Sequence, residues 1–338
     1  MKTKLTEMFG IEYPIVQSGM QWLAVPQLAS AVCNAGGIGT INVTCWPTID
    51  EFADALDEMN ELAGGKPFIV NISLAPTQRL DAEEIRRTIR LCGEKHVAAI
   101  ETSADDTREF IADIKGAGMR HLHKCPNYKV SMSMERKGLD GVIIAGYEVG
   151  GHPSADGVGT FVIARRCAAD MSIPVIAAGG VADGHGLAAA LALGASGVAM
   201  GTRFVNTTEC PIHHNHQQWI IDHTEKDTVL AQKTIGYMMR ITKNNAALLA
   251  NEIEARGLSL GYDAARILKE QLPVISGQKT KAAFINGDVG SATFCTGMDM
   301  GLIHDVVPVK ELLDRMVKEA EAHEAEDKKR KEDAETRN

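Results

Sequence analysis

A chain of 338 residues with 45% hydrophobic and 23% charged side chains has the make-up of a folded protein with a sizeable core, which excludes disorder for most of its length. Its formal net charge is −9 and its basic residues are scattered rather than gathered in a stripe, so the electrostatic footprint of a nucleic-acid binder is missing. Seven cysteines without a CxxC pair argue against a disulfide framework and a thiolate zinc site, and point to a reducing, cytoplasmic setting.

The N-terminal MKTKLTEMFG lacks the apolar core of a signal peptide. Apolar runs rich in Val, Ile and Ala then recur at 11–17, 37–42, 67–74, 97–103, 119–125, 139–146, 173–178 and 196–201. Between them the apolar residues fall at helical spacing, as in Ile49, Phe52, Ala53, Leu56 and Met59, or Phe110, Ile111 and Ile114. The runs are continuously apolar rather than alternating, as expected of strands buried on both faces of a parallel sheet. Eight such units predict a closed (β/α)8 barrel. An open doubly wound sheet is permitted by the same alternation, and the count of eight favours closure. The longest apolar stretch, 188–200, is too short and too glycine-broken to span a bilayer, so no membrane association is expected.

The sixth run opens the segment GLDGVIIAGYEVGGHPSADGVGT, residues 138–160. A buried strand breaks there into a loop whose paired Gly150 and Gly151 present one histidine, His152. A lone loop histidine is more often structural, but an imidazole at the end of a barrel strand suits proton handling. The seventh and eighth runs each end in glycine, at Gly179, Gly180 and Gly201. The loops after those two strands frequently hold a phosphate on backbone N–H groups and a helix N-terminus. Asp183 is expected to cap the next helix and Gly194 to end it. The plainer reading is that these glycines only serve tight turns. No GxxxxGK[ST] occurs and GGIGT at 36–40 lacks dinucleotide spacing, so the phosphate fits a flavin nucleotide or a sugar phosphate better than a transferring ATP.

Residues 209–275 carry no convincing strand and read as a helical insertion, and 279–297 reads as glycine-punctuated loop. Val309, Leu312, Leu313, Met316, Val317 and Ala320 share one face of a last barrel helix, and the tail beyond Lys318 has little to bury and is expected to fray. The expected division is a barrel of 1–208 with 297–320, a helical substrate-covering domain of 209–296, and a charged, disordered tail of 321–338. His213, His214 and His216 lack HExxH spacing and are expected in a surface or interface loop, with no metal. Cys33 and Cys125 are expected to be packing residues.

Taken together, PIVQSGMQWLA (14–24), ASAVCNAGGIGTI (29–41), PFIVNISL, the EVGGH loop and IPVIAAGGVADGHGLAAALALGASGVAMGTRF resemble the FMN-dependent nitronate monooxygenase superfamily, once called 2-nitropropane dioxygenases, across about residues 5–320. PTQ, HKC, GHP and ECPIH look most like its NADH:quinone reductase branch. The resemblance implies a TIM barrel with a small helical domain, FMN as cofactor, NADH or NADPH as reductant, and His152 as the catalytic residue. It also implies FMN phosphate on Gly179, Gly180, Gly201 and Thr202, the flavin ring lined by Gly19 and Met20, its polar edge held by Asn71 and Lys124, Gly151 beside the cofactor, and Gln78 toward the nicotinamide. Ala145 stands where that branch carries an aspartate. The implied electron donor is a reduced nicotinamide, a nitronate or both, and the implied acceptor is a quinone, oxygen or an activated alkene, so the small-molecule substrate is a quinone, a nitronate or an activated alkene. An enoyl-thioester reductase, with the Met-containing segment 237–239 lining an acyl channel, is the enzyme alternative, and a flavin-free phosphate-binding barrel is the alternative of another class. Oligomerisation is compatible with all of these.

Overall fold

A computed structural model describes the chain except residues 76–79, 235, 237 and 336–338, with backbone alone at 327, 328 and 331–335. Eight parallel strands form one sheet: β1 (Ile15–Gln17), β2 (Thr40–Asn42), β3 (Ile69–Ser73), β4 (Ala99–Ser103), β5 (Arg120–Cys125), β6 (Gly141–Ala145), β7 (Val175–Ala178) and β8 (Gly197–Met200). Each falls inside one of the apolar runs. β1 pairs with β8, and a single bridge from Val16 to Ile38 brings β1 against the chain leading into β2, so the sheet curls into a (β/α)8 TIM barrel.

After α1 (Lys4–Phe9), the strands are followed in turn by α2 (Pro26–Asn34), α3 (Ile49–Ala63), α4 (Ala82–Glu94), α5 (Ile111–Gly116), α6 (Tyr128–Arg136), α7 (Thr160–Asp170), α8 (Gly184–Ala192) and the short α9 (Thr202–Val205). Local signals set their ends. Thr48 and Glu51 close a capping box at α3, Asp81 and Glu84 another at α4, and Asp183 accepts from Gly186 N at 2.9 Å to start α8 as expected. Gly194, with φ of +96°, follows the end of α8.

The barrel is filled by one residue from each strand position in turn: Val16, Ile38, Ile69, Ala99, Leu122, Ile143, Ile176 and Ala199, closed from below by Leu5. Two larger apolar layers lie between the strands and the helix ring. Because side chains alternate along a strand, the residues two positions further on face the same interior one layer up.

The segment after α9 departs from expectation. It comprises α10 (His214–Ile221), an antiparallel hairpin of β9 (Thr228–Ala231) and β10 (Met239–Thr242), α11 (Asn245–Ser259), α12 (Ala264–Ile275) and α13 (Gly277–Asn286). The hairpin was not expected because each strand is four residues long, β9 is mostly half-buried, and neither shows a sustained alternation. α13 runs through what reads as loop: Ser276 caps it, Ala283 and Phe284 bury on one side, and Gly287 at φ of +76° ends it. The last helix, α14 (Val309–Glu335), buries Leu312, Leu313, Met316 and Ala320 and packs beside α8 and α2. Its backbone continues as helix past Lys318, where fraying was expected, while the side chains of 321–326 are all exposed.

Candidate active site

The layer above the barrel filling is polar on one side and small on the other. Asn71 on β3, Glu101 on β4 and Lys124 on β5 occupy it across three neighbouring strands, and Ala145, Ala178 and Gly201 occupy it at β6, β7 and the end of β8. Asn71 and Glu101 are register partners. The Asn71 amide donates to Glu101 Oε1 at 2.9 Å, and Lys124 Nζ reaches the same oxygen at 3.1 Å. The Glu101 side chain is 0% exposed whereas that of Lys124 is 26% exposed, so the carboxylate is the hidden member and the ammonium opens toward the mouth. An acid buried in an apolar strand persists only with partners. Glu101 was not singled out in the sequence, although a lone carboxylate inside AAIETS was the signal available.

Gly19 and Met20, in the loop after β1, span this layer. A Cβ at Gly19 would fall 2.6 Å from Asn71 Cβ, so only glycine lets the loop lie on the amide, and Met20 Sδ lies 3.6 Å from where a Gly201 Cβ would be. The loop therefore reaches from β3 to the end of β8.

At the ends of β7 and β8 the backbone is shaped by positive dihedrals: φ is +103° at Gly179 and +75° at Gly180. Gly179 is packed closely, its Cβ position lying 2.8 Å from Val149 Cγ1. Gly180 and Gly201 are not: the nearest atoms to their Cβ positions stand at 3.7 Å and 3.6 Å. Both glycines are half-buried, so the backbone has room around it here beside the start of α8. Thr202 is buried next to them, and its hydroxyl accepts from Gly297 N at 2.9 Å. Asp299 lies behind it, and burial pushes its carboxyl up to about 7 against the lowering effect of hydrogen bonds to its own backbone and to Thr202 and of the Arg203 charge.

The loop after β6 arches over these ends and is fixed at several points. Glu148 accepts from Thr160 N at 2.8 Å and from its hydroxyl at 2.9 Å, Met298 N donates to Glu148 O, and Gly150 fits where any Cβ would lie 2.7 Å from Gly297 N. Gly151, at φ of +83°, exchanges backbone hydrogen bonds with Arg240 of β10. The buried Arg240 guanidinium also donates to Tyr147 O at 2.9 Å and lies 4.8 Å from the Tyr147 ring centre. The hairpin thus clamps the loop at the glycine pair and just before it. His152 follows directly, exposed at the rim yet surrounded closely enough that desolvation, joined by the Lys124 charge, pushes its imidazole below the ordinary 6.5.

The structure brings Gly19, Met20, Asn71, Lys124, Gly151, His152, Gly179, Gly180, Gly201 and Thr202 to one end of the barrel. Gln78 lies outside the described residues. Met239 packs with Ala231, Ile241 and Ala247 in the hairpin's own small core, and Tyr237 of the same segment lies outside the described residues. The histidine cluster is corrected in part. His216 is buried, with Nε2 2.9 Å from Ala283 O and its ring edge-on to Phe284 and Phe294, so it is a core residue of α10 and not a surface-loop one. Among the described residues no group of three His, Cys, Asp or Glu is arranged to hold a metal. Cys33 and Cys125 are buried as expected, and no described helix is long and apolar enough to cross a membrane.

Comparison with known proteins gives the arrangement a context. The family model described as nitronate monooxygenase matches residues 2–319. A Rhodococcus jostii protein named (3aS,4S,5R,7aS)-5-hydroxy-7a-methyl-1-oxo-octahydro-1H-indene-4-carboxyl-CoA dehydrogenase is 30% identical over 95% of this chain and 96% of its own. A nitronate monooxygenase of Paraburkholderia phytofirmans is 28% identical over 94% of this chain and 95% of its own. Among solved structures, FabK from Thermotoga maritima superposes with a TM-score of 0.84 at 32% identity, over 96% of this chain and 98% of its own.

Proposed function

The chain belongs to the nitronate monooxygenase family of oxidoreductases, and from that premise we propose that it is an FMN-dependent enzyme of the nitronate monooxygenase or NAD(P)H:quinone reductase type, with His152 handling the proton. The observation that carries this reading is the division of the barrel mouth into a polar side of Asn71, Glu101 and Lys124 and an open glycine side at Gly180 and Gly201, with the His152 loop above.

These residues fit a flavin nucleotide. The backbone at Gly180 and Gly201 has room at its Cβ positions and a helix start beside it, which suits a phosphate. Ala145, Ala178 and Gly201 leave the small side of the layer open for a flat ring, and Ala145 enlarges it where the quinone reductase branch carries an aspartate. The Asn71 amide nitrogen is committed to Glu101, which turns its carbonyl oxygen outward as an acceptor beside the Lys124 donor, a pairing matched to the alternating edge of a flavin.

Bound FMN would supply two-electron chemistry at that face. Lys124 would hold negative charge on the polar edge. His152, held neutral near pH 7 by desolvation and by Lys124, would take a proton from the carbon beside a nitro group or hydrogen-bond a quinone oxygen. The insertion, from α10 to α13, would cover the substrate and exclude water.

A second reading is favoured by the relatives: one is named as a dehydrogenase of a CoA thioester, and it is 30% identical to this chain against 28% for the nitronate monooxygenase relative. Under that reading the acceptor or donor is an acyl thioester and His152 serves the carbon next to its carbonyl. Anaerobic mixing of the flavin-loaded protein with NADH, NADPH, a nitronate, a short saturated acyl-CoA and an enoyl-CoA, followed by flavin absorbance, tests both. Bleaching by a nitronate, or by a nicotinamide without reoxidation by an enoyl-CoA, supports the first reading, bleaching by the saturated acyl-CoA or reoxidation of nicotinamide-bleached flavin by an enoyl-CoA supports the second, and a colourless protein that takes up no FMN overturns both.

A further inference from the structure

We infer that Glu101 is a positioning residue of the site, holding the Asn71 amide and the Lys124 ammonium as one unit through a single carboxylate oxygen and balancing the lysine's charge at the barrel mouth. The inference rests on the flavin reading only for what that unit serves. The unit itself stands on geometry: Oε1 is shared at 2.9 Å and 3.1 Å, and the side chain is 0% exposed. The second oxygen, Oε2, is buried with no hydrogen-bond partner among the described residues.

That oxygen leaves the two contacts on Oε1 to hold the carboxylate. A buried carboxylate held for stability spends both oxygens on donors, because an unpaired one carries its full desolvation cost. Here both described contacts come from the two mouth residues whose outer atoms face the open layer. The glutamate thereby fixes which end of the Asn71 amide points outward. It also shields part of the Lys124 charge, which reaches His152 on the adjacent strand's loop. Among the described residues the charge felt at that imidazole is Lys124 from β5, which is itself paired with Glu101 of β4, while Arg240 of β10, bonded through its backbone to the neighbouring Gly151, has its guanidinium committed to Tyr147 O and Thr228 Oγ1.

The test is a double-mutant cycle of Glu101→Gln, Lys124→Met and the pair, with two readouts. On flavin-free protein carrying labelled histidine, the His152 titration midpoint is followed by NMR, with His152→Gln for assignment. On loaded protein, the FMN dissociation constant and the flavin midpoint potential are measured. Glu101→Gln should lower the His152 midpoint and move the flavin potential to a more positive value, because the lysine charge is then unbalanced. Each single variant should weaken FMN by roughly 10- to 100-fold, the scale of one charged hydrogen bond, and the pair by no more than the worse single. If Glu101→Gln does not fold, Glu101→Asp replaces it in the cycle, and its retained charge should bring the potential and the His152 midpoint near wild type while FMN binding still weakens. A folded Glu101→Gln with an unmoved His152 midpoint, a folded Glu101→Asp that binds FMN as wild type does, or losses in FMN binding that simply add, overturns the inference. If the wild type takes up no FMN, the flavin reading fails, and the His152 midpoints alone decide the role of Glu101.

Discussion

Gly151 and Arg240 bind each other by a reciprocal pair of backbone hydrogen bonds, although they belong to the sixth strand's loop and to the hairpin of the insertion. The loop that carries His152 is therefore half of a small sheet contact rather than a free arm. Arg240→Ala keeps this backbone contact but removes the donors to Tyr147 O and Thr228 Oγ1 and the packing on the Tyr147 ring. The expected cost is about 2–4 kcal/mol in unfolding free energy, from lost charged hydrogen bonds at a buried site. Turnover should fall about tenfold while FMN affinity stays within a few fold; equal losses in both would mean that Arg240 supports the whole mouth rather than the loop.

His152→Ala should leave FMN bound and lower turnover by roughly 10²- to 10⁴-fold, the usual range for a lost general acid or base. The wild-type pH profile carries a sharper expectation. The imidazole titrates below its ordinary 6.5, so a step that needs it neutral gains activity as pH rises through a midpoint below 6.5 and is level at neutral pH. A kcat/KM profile that falls across that acid range would reverse the assignment, making the protonated form the active one.

Gly201→Ala and Gly179→Ala separate ligand effects from backbone effects. At Gly201 the added methyl has room, with its nearest neighbour at 3.6 Å, and φ is not positive, so the fold should hold within about 1 kcal/mol. Loss of FMN affinity in that variant reports on the ligand alone. At Gly179, with φ of +103° and Val149 Cγ1 2.8 Å away, alanine is strained by about 1–3 kcal/mol whatever binds there. FMN binding unchanged in Gly201→Ala would move the phosphate away from the end of β8.

Stability should fall in acid because of a pair of histidines that the reaction does not use. His121 and His123 lie on the outer face of β5, buried and bonded to Thr102 Oγ1 at 3.0 Å and 2.8 Å, with Thr107 adding a second hydroxyl at His121. Burial pushes both down from 6.5 to about 4. Between those values the unfolded chain binds protons that the folded chain does not, so stability is full above about pH 6.5 and drains away as pH falls toward 4. The loss should reach several kcal/mol for the pair by pH 4.5. Urea titrations from pH 7 to 4.5 measure it, and a flat series would show that the histidines are protonated in the folded state.

The order of strands was legible because parallel strands buried on both faces leave unbroken Val, Ile and Ala runs, and the glycine turns at Gly179, Gly180 and Gly201 stood out because a helix start follows closely. His152 was legible for the same reason: it interrupts a glycine loop at a strand end. Glu101 and Arg240 were not, since each acts through a partner far along the chain, Lys124 and Tyr147 respectively. One acid in an apolar run and one arginine in a four-residue strand carry no spacing signal by themselves. The hairpin escaped for want of length, and His216 was misplaced because its neighbours Phe284 and Phe294, which bury it, come from α13 and the chain beyond it.

The clamp between the hairpin and the His152 loop also sets an order of events during synthesis. Tyr147 and Arg240 are 93 residues apart in the chain. At ribosomal rates that separation corresponds to roughly 5–20 s of elongation. Within that interval the last two barrel strands, β7 and β8, are made before the strand that secures the histidine loop, so the barrel can close before its mouth is clamped.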